Sequence, residues 1–172
     1  VYKRQDQGAN GFFVTGGTGE GAAMQVDERK AMTDTTIAAV AGSVPLIFQV
    51  GATGTENAVE LARYAAAAGA DAIASIAPVD HPNDLQAAVQ HYAAIGSATD
   101  KPFYVYWIAQ TADATITAEQ YLEAMEAVPG HGARRQAVFV RFIGATHICG
   151  KYRRRRSGYS ASHSHGFRFP VQ

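Results

Sequence analysis

Gly11-Phe12-Phe13-Val14-Thr15-Gly16-Gly17-Thr18-Gly19-Glu20-Gly21 decides how this chain is read. A short apolar run ends in a loop of small residues, and an amphipathic stretch, Asp27 to Val40, follows it. Strand, glycine-rich loop and helix in that order make one βα unit of a parallel sheet. Residues this small also let backbone N–H groups come close to an anion, the geometry that phosphate loops use.

The same alternation recurs on the C-terminal side. Pro45 to Val50, Ala72 to Ala77 and Phe103 to Ile108 read as strands, and Thr55 to Ala68 and Asp84 to Ile95 as helices. Thr117-x-x-Gln120 reads as a capping box opening a fourth helix, and Gly69 falls where a helix C-cap is expected. A period of roughly 30 residues is that of a (β/α)8 barrel, although a doubly wound sheet satisfies the pattern too. Four such units are half a barrel, and 172 residues fall short of the about 250 that a full barrel takes. The expected fold is therefore α/β, a partial (β/α)8 TIM barrel of about four βα units with an irregular or disordered C-terminal tail. In either architecture the chemistry sits where strands end. Those positions hold Thr15 to Glu20, Gly51-Ala52-Thr53 and Tyr106-Trp107, while the third strand ends at Ala77-Pro78 with Asp80 and His81 beyond.

Composition supports one soluble domain with a core, since 47% of the residues are hydrophobic. No apolar run approaches the ~18 residues of a membrane span, and the N-terminus lacks a signal peptide's apolar segment, so the default location is cytoplasmic. The single cysteine, Cys149, excludes an internal disulfide framework, and without a patterned Cys/His cluster no metal site is expected. The net charge of zero conceals an asymmetry: residues 1–130 hold all 15 acidic residues, whereas residues 131–172 hold Arg134, Arg135, Arg141, Lys151, Arg153 to Arg156 and Arg168 and no acid. Three segments follow: a non-native leader over 1–7, which reads like translated adapter sequence, the half barrel over 8–130, and a basic tail over 131–172 that is disordered or frame-shifted.

Phe13 to Gly21, Val26-Asp27-Glu28-Arg29, Gln49-Val50-Gly51-Ala52, Ala68 to Ala72 and Ile76-Ala77-Pro78 occur in one order and spacing. Together they resemble the dihydrodipicolinate synthase and N-acetylneuraminate lyase family of pyruvate-handling class I aldolases, over about residues 8–130. The resemblance implies a (β/α)8 barrel and a lysine on the sixth strand that forms a Schiff base with a keto acid. It needs no separate cofactor. It further implies that Thr18 and the backbone N–H groups of Gly17 and Thr18 hold the pyruvate carboxylate, and that Tyr106 relays protons. Intact members of the family are expected to be homo-oligomers.

Departures bear on the substrate. Gly17 stands where the family usually has Ser or Thr, which removes one hydroxyl donor. Trp107-Ile108-Ala109 replaces the usual Asn or His, aliphatic residue and Pro, and Val79-Asp80-His81 replaces an aromatic pair common in synthases. The loop and the Val-Gly-Ala block stand nearer the lyase branch.

The nucleophile is missing from its expected place. Of Lys3, Lys30, Lys101 and Lys151, the third precedes a strand and so lies at the opposite end of the barrel, the second is on a helix expected to be exposed, the first precedes the fold, and the last adjoins an arginine run. The family lysine should fall just beyond Pro129-Gly130, where the composition switches. Back-translation of His131 to Gln136, moved forward one nucleotide, is compatible with a short apolar strand ending in Lys. The chain thus reads as the translation of a gene fragment, inactive as written.

Plainer readings apply elsewhere. Glu20 is expected to be a structural carboxylate accepting nearby N–H groups, Trp107 a packing residue, His81 a solvated loop residue and His91 a surface or packing residue. Arg153 to Arg156 with Lys151 favour a disordered or mistranslated tail over a nucleic-acid grip. The expected function is an N-acetylneuraminate lyase-type cleavage of a keto acid to pyruvate and an aldehyde. The synthase-type condensation is the alternative within the family, and a basic-tailed nucleic-acid-binding protein the alternative outside it.

Overall fold

A computed structural model describes residues 7–81, 84–108, 120, 124, 136–142 and 145–152. Four strands, β1 (Phe12–Val14), β2 (Leu46–Gln49), β3 (Ala72–Ile76) and β4 (Phe103–Ile108), pair in parallel and in sequence order. Helices α1 (Val26–Val40), α2 (Thr55–Ala68) and α3 (Leu85–Ser97) connect them. A doubly wound sheet reverses its strand order at a switch point, and this one does not reverse. Sequential parallel order is that of a (β/α)8 barrel, and the four units are part of one.

Each boundary has a local cause. Glu28 at the start of α1 accepts the Gln25 N–H at 2.7 Å, the reach-back half of a capping box. Asp84 caps α3 by accepting the N–H groups of Gln86 and Ala87 at 2.8 and 3.0 Å. Gly69 ends α2 at φ 113°, a conformation only glycine adopts without strain, and the Ala70 N–H closes back on the Ala65 carbonyl at 2.9 Å. Asp71 then accepts the Leu46 N–H at 2.8 Å, tying the entry of β3 to that of β2.

The core lies between the sheet and its helices. Phe48, Val50, Ile73, Phe103 and Val105 pack against Leu61, Ala62, Ala65, Tyr92 and Ile95. Small alanines on α2 let helix and sheet approach closely. The buried stripe of α1 is different, consisting of Arg29, Thr33, Thr36 and Val40. It has helical spacing but is mostly polar.

Two more strands lie in the stretch expected to be irregular. β5 (Gln136–Phe142) adds parallel to β4, and β6 (Ala145–Tyr152) folds back antiparallel on β5 with a register irregularity at Ala137/Val138. Val138-Phe139-Val140 is a β-branched and aromatic run with high strand propensity, which composition and charge do not reveal. The antiparallel β6 departs from an all-parallel barrel. The proposed start of a fourth helix at Thr117 lies outside the described residues, although Gln120 and Ala124 are helical. No helix among the described residues is long and apolar enough to cross a membrane.

Candidate active site at the strand ends

Parallel pairing brings the loops after β1, β2 and β3 to one end of the sheet, together with the end of β4. The first loop is built around a strained residue. Thr15, 6% exposed, has φ 54°, a left-handed conformation that is an outlier for a β-branched side chain and costs about 1–3 kcal/mol. Its hydroxyl lies 2.7 Å from the Val14 carbonyl and 2.9 Å from the Gln49 carbonyl. The β1–β2 ladder, whose last register pair is Val14 with Phe48, is thus continued by a side chain.

Gly21 closes the loop from the other side. A Cβ there would lie 2.0 Å from the Thr15 carbonyl oxygen, so only glycine fits. The Gly21 N–H donates to the Gly16 carbonyl at 3.2 Å, and the Glu20 N–H to the Gly17 carbonyl at 3.1 Å. Gly17, Thr18 and Gly19 are exposed at the apex. A Cβ on Gly17 would meet nothing within 4 Å. Glu20, expected to be a structural carboxylate accepting nearby N–H groups, is exposed at φ 57°, its side chain makes no cap hydrogen bond, and its backbone carbonyl accepts the Ala23 N–H at 3.0 Å.

Tyr106 is half-buried near the end of β4, in register with Ile76 of β3. The Phe13 ring lies 6.0 Å from its ring at an interplanar angle of 43°. Phe13 also packs on Gly16, where a Cβ would come within 3.0 Å of its ring carbons. One aromatic side chain therefore bridges the glycine loop and Tyr106. The side chain of Trp107 lies outside the described residues.

Two buried polar groups beneath the loops are not apparent from sequence patterning. Arg29, 3% exposed, donates from Nη1 to the Gly51 carbonyl at 2.8 Å, and from Nη2 to the Gln49 carbonyl and to Gln49 Oε1 at 3.2 Å. Burial lowers its pKa, its Nε has no partner, and no carboxylate pairs with it among the described residues. His91, 1% exposed, sits between Thr55 Oγ1 at 2.9 Å and Ser75 Oγ at 3.2 Å. Burial lowers its pKa to about 4 against a weaker opposing pull from Asp80. Gly51 lies against the same serine, since a Cβ there would be 2.8 Å from Ser75 Oγ. His81 is exposed in its loop.

Lys101 precedes β4, at the end of the sheet away from these loops. Lys30 pairs with Glu60 at 2.5 Å and Asp27 at 3.6 Å, and the bond to Glu60 raises its pKa, the wrong direction for a nucleophilic amine. Lys3 and Arg153 to Arg156 lie outside the described residues, and Lys151 is in β6. No group of three or more potential metal ligands occurs among the described residues.

Comparison with known proteins agrees with this geometry. Residues 3–138 match the dihydrodipicolinate synthetase family, a span that passes both Gln7 and Gly130. The chain is 40% identical over 99 residues to a 4-hydroxy-tetrahydrodipicolinate synthase of Desulfotalea psychrophila, covering 58% of this chain and 33% of that protein. To the enzyme of that name in Nitrosomonas eutropha it is 34% identical over 125 residues, covering 73% and 42%. In structure it is similar to the sialic acid aldolase of Ruminococcus gnavus, with TM-score 0.65 and 30% identity over 76% of this chain and 42% of that one. It thus spans between a third and just over two fifths of the length of these relatives. With residues 3–138 matched and its four parallel strands in barrel order, the chain belongs to the dihydrodipicolinate synthetase family.

Proposed function

We propose that this chain carries the carboxylate-binding half of a class I lyase site acting on a keto acid, of the N-acetylneuraminate lyase type. The Thr18 hydroxyl and the N–H groups of Gly17 and Thr18 hold the pyruvate carboxylate. These donors are fixed before the ligand arrives, because Gly21 and the Gln49 carbonyl already set the loop. Tyr106 passes a proton to and from the substrate oxygen as the carbon–carbon bond breaks. The Schiff-base amine comes from a lysine on a later strand in the whole protein.

The observation that supports this reading is the Phe13 ring, which neighbours both Gly16 of the loop and the Tyr106 ring. The structural likeness to a sialic acid aldolase favours the cleavage direction. Condensation of pyruvate with an aldehyde is the second reading, favoured by the synthases among the sequence relatives.

A titration with pyruvate followed by amide chemical shifts tests the proposal. Gly17, Thr18 and Gly19 should shift, and Thr18→Val should weaken the effect by about tenfold, the worth of one charge-assisted hydrogen bond. A saturating titration that moves no amide between residues 16 and 20 would sink it. Borohydride trapping with pyruvate should label an intact homologue and leave this chain unlabelled.

A further inference from the structure

We propose that Arg29 is a positioning residue for the carboxylate loop, acting through the Gln49 carbonyl on Thr15; the ligand part of this inference rests on the function proposed above. A buried cation without a carboxylate partner is expensive, and an apolar side chain would fill the same space at lower cost. Among the described residues, every hydrogen bond of this guanidinium goes to Gln49 or Gly51, at the end of β2. One of those acceptors, the Gln49 carbonyl, also takes the Thr15 hydroxyl.

Thr15 is the residue that needs holding. Its left-handed φ of 54° turns the chain out of β1 and aims the following glycines, and such a conformation persists only where its surroundings over-determine it. Gly21 confines Thr15 from above through its backbone, and the Gln49 carbonyl anchors it from the side. With Arg29 removed, that carbonyl keeps only the Thr15 hydroxyl of the two bonds described here, and its orientation is no longer fixed by a planar fork. The loop N–H groups then lose the alignment that lets them act together on a carboxylate. Arg29 touches no substrate in this scheme.

The test uses the full chain and two readouts. Amide hydrogen exchange is measured over residues 16–20 and, as reference, over the buried parts of α2 and α3, and pyruvate affinity is taken from the shift titration. Arg29→Met should speed loop exchange by about tenfold or more while the reference amides keep their rates, and should weaken pyruvate binding by about tenfold. Thr15→Val should reproduce the loop effect, and Arg29→Lys, which cannot fork onto two carbonyls, should fall between. A merely structural clamp would lower the melting temperature and raise exchange everywhere alike, leaving pyruvate affinity of the folded fraction unchanged. That outcome, or a folded Arg29→Met with wild-type loop exchange, overturns the proposal. Should Arg29→Met fail to fold, wild-type loop exchange in both Arg29→Lys and Thr15→Val overturns it instead. If pyruvate fails to perturb the wild-type loop, the proposed function falls, and loop exchange alone still decides whether Arg29 positions Thr15.

Discussion

The ring of Phe13 stands 6.0 Å from the ring of Tyr106 at 43°, and its other flank lies on the α-carbon of Gly16. The contact is tight on the glycine side, because a methyl group at Gly16 would sit 3.0 Å from two carbons of the ring. Phe13 is 41% exposed, so the ring has room to swing. Gly16→Ala should therefore cost less than about 1.5 kcal/mol of stability while turning the Phe13 ring against Tyr106. Nuclear Overhauser contacts between the two rings should change, with little change in the melting temperature. An unaltered ring pair would show that Gly16 does not set the Phe13 geometry.

Two glycines of the same loop should respond in opposite ways. At Gly21 the added Cβ meets the backbone carbonyl of Thr15 at 2.0 Å, which no side-chain rotation relieves. Gly21→Ala should cost about 2–4 kcal/mol, or prevent folding. At Gly17 nothing lies within 4 Å and φ is not positive, so Gly17→Ser should change stability by no more than about 0.5 kcal/mol. It should also tighten pyruvate binding, because it adds a hydroxyl donor at the loop apex. Thermal melts of the two variants, with a pyruvate titration of the second, check both statements. Equal melting temperatures would contradict the steric account.

The fold was legible where local chemistry and tertiary structure agree. Thr55 to Ala68 is rich in alanine and contains neither Gly nor Pro until Gly69 ends it, and Phe103 to Ile108 is β-branched and aromatic throughout, so both sets of bounds coincide with the sequence reading. The loop after β1 was legible from its glycines and its neighbouring blocks. Arg29 was not, because the side of α1 that faces inward is polar, and hydropathy assigns a charged residue to solvent. Its spacing with Thr33, Thr36 and Val40 was the available signal. His91 was read as a surface or packing residue. It is buried, but paired through both ring nitrogens, and neither Thr55 nor Ser75 is near it in sequence. β5 and β6 were obscured by the basic composition of residues 131–172, which carries no information about strand pairing.

Asp84 caps the start of α3 with its side chain, Oδ1 accepting two N–H groups of the first turn. Asp84→Ala should cost about 1 kcal/mol, and Asp84→Ser should recover most of it, since a hydroxyl can accept the same bonds. The comparison is read from urea midpoints at constant slope. A serine variant as unstable as the alanine variant would mean that the carboxylate charge at the helix N-terminus matters more than the cap bonds.

His91 gives the fold a defined acid response. Ser75 Oγ donates to the Ile76 carbonyl at 2.9 Å, so toward the imidazole it acts as acceptor, which assigns the proton to Nε2 and leaves Nδ1 to accept from Thr55. The neutral ring is thus fully satisfied, and a second proton would reverse the Thr55 hydroxyl beside a ring that is itself buried. The folded-state pKa of about 4 lies below the ordinary 6.5, so between those values the unfolded chain binds more protons than the folded one. Stability therefore rises with pH across that window and is lost as pH falls through it, by at most about 3 kcal/mol from this group. His91→Gln, which keeps a donor and an acceptor but does not titrate, should be less stable than wild type at pH 7.5 and should flatten the stability profile between pH 6.5 and 4.5. Urea unfolding at half-unit pH steps measures this. If both proteins lose stability in parallel over that range, the acid response belongs to other groups and His91 is not its source.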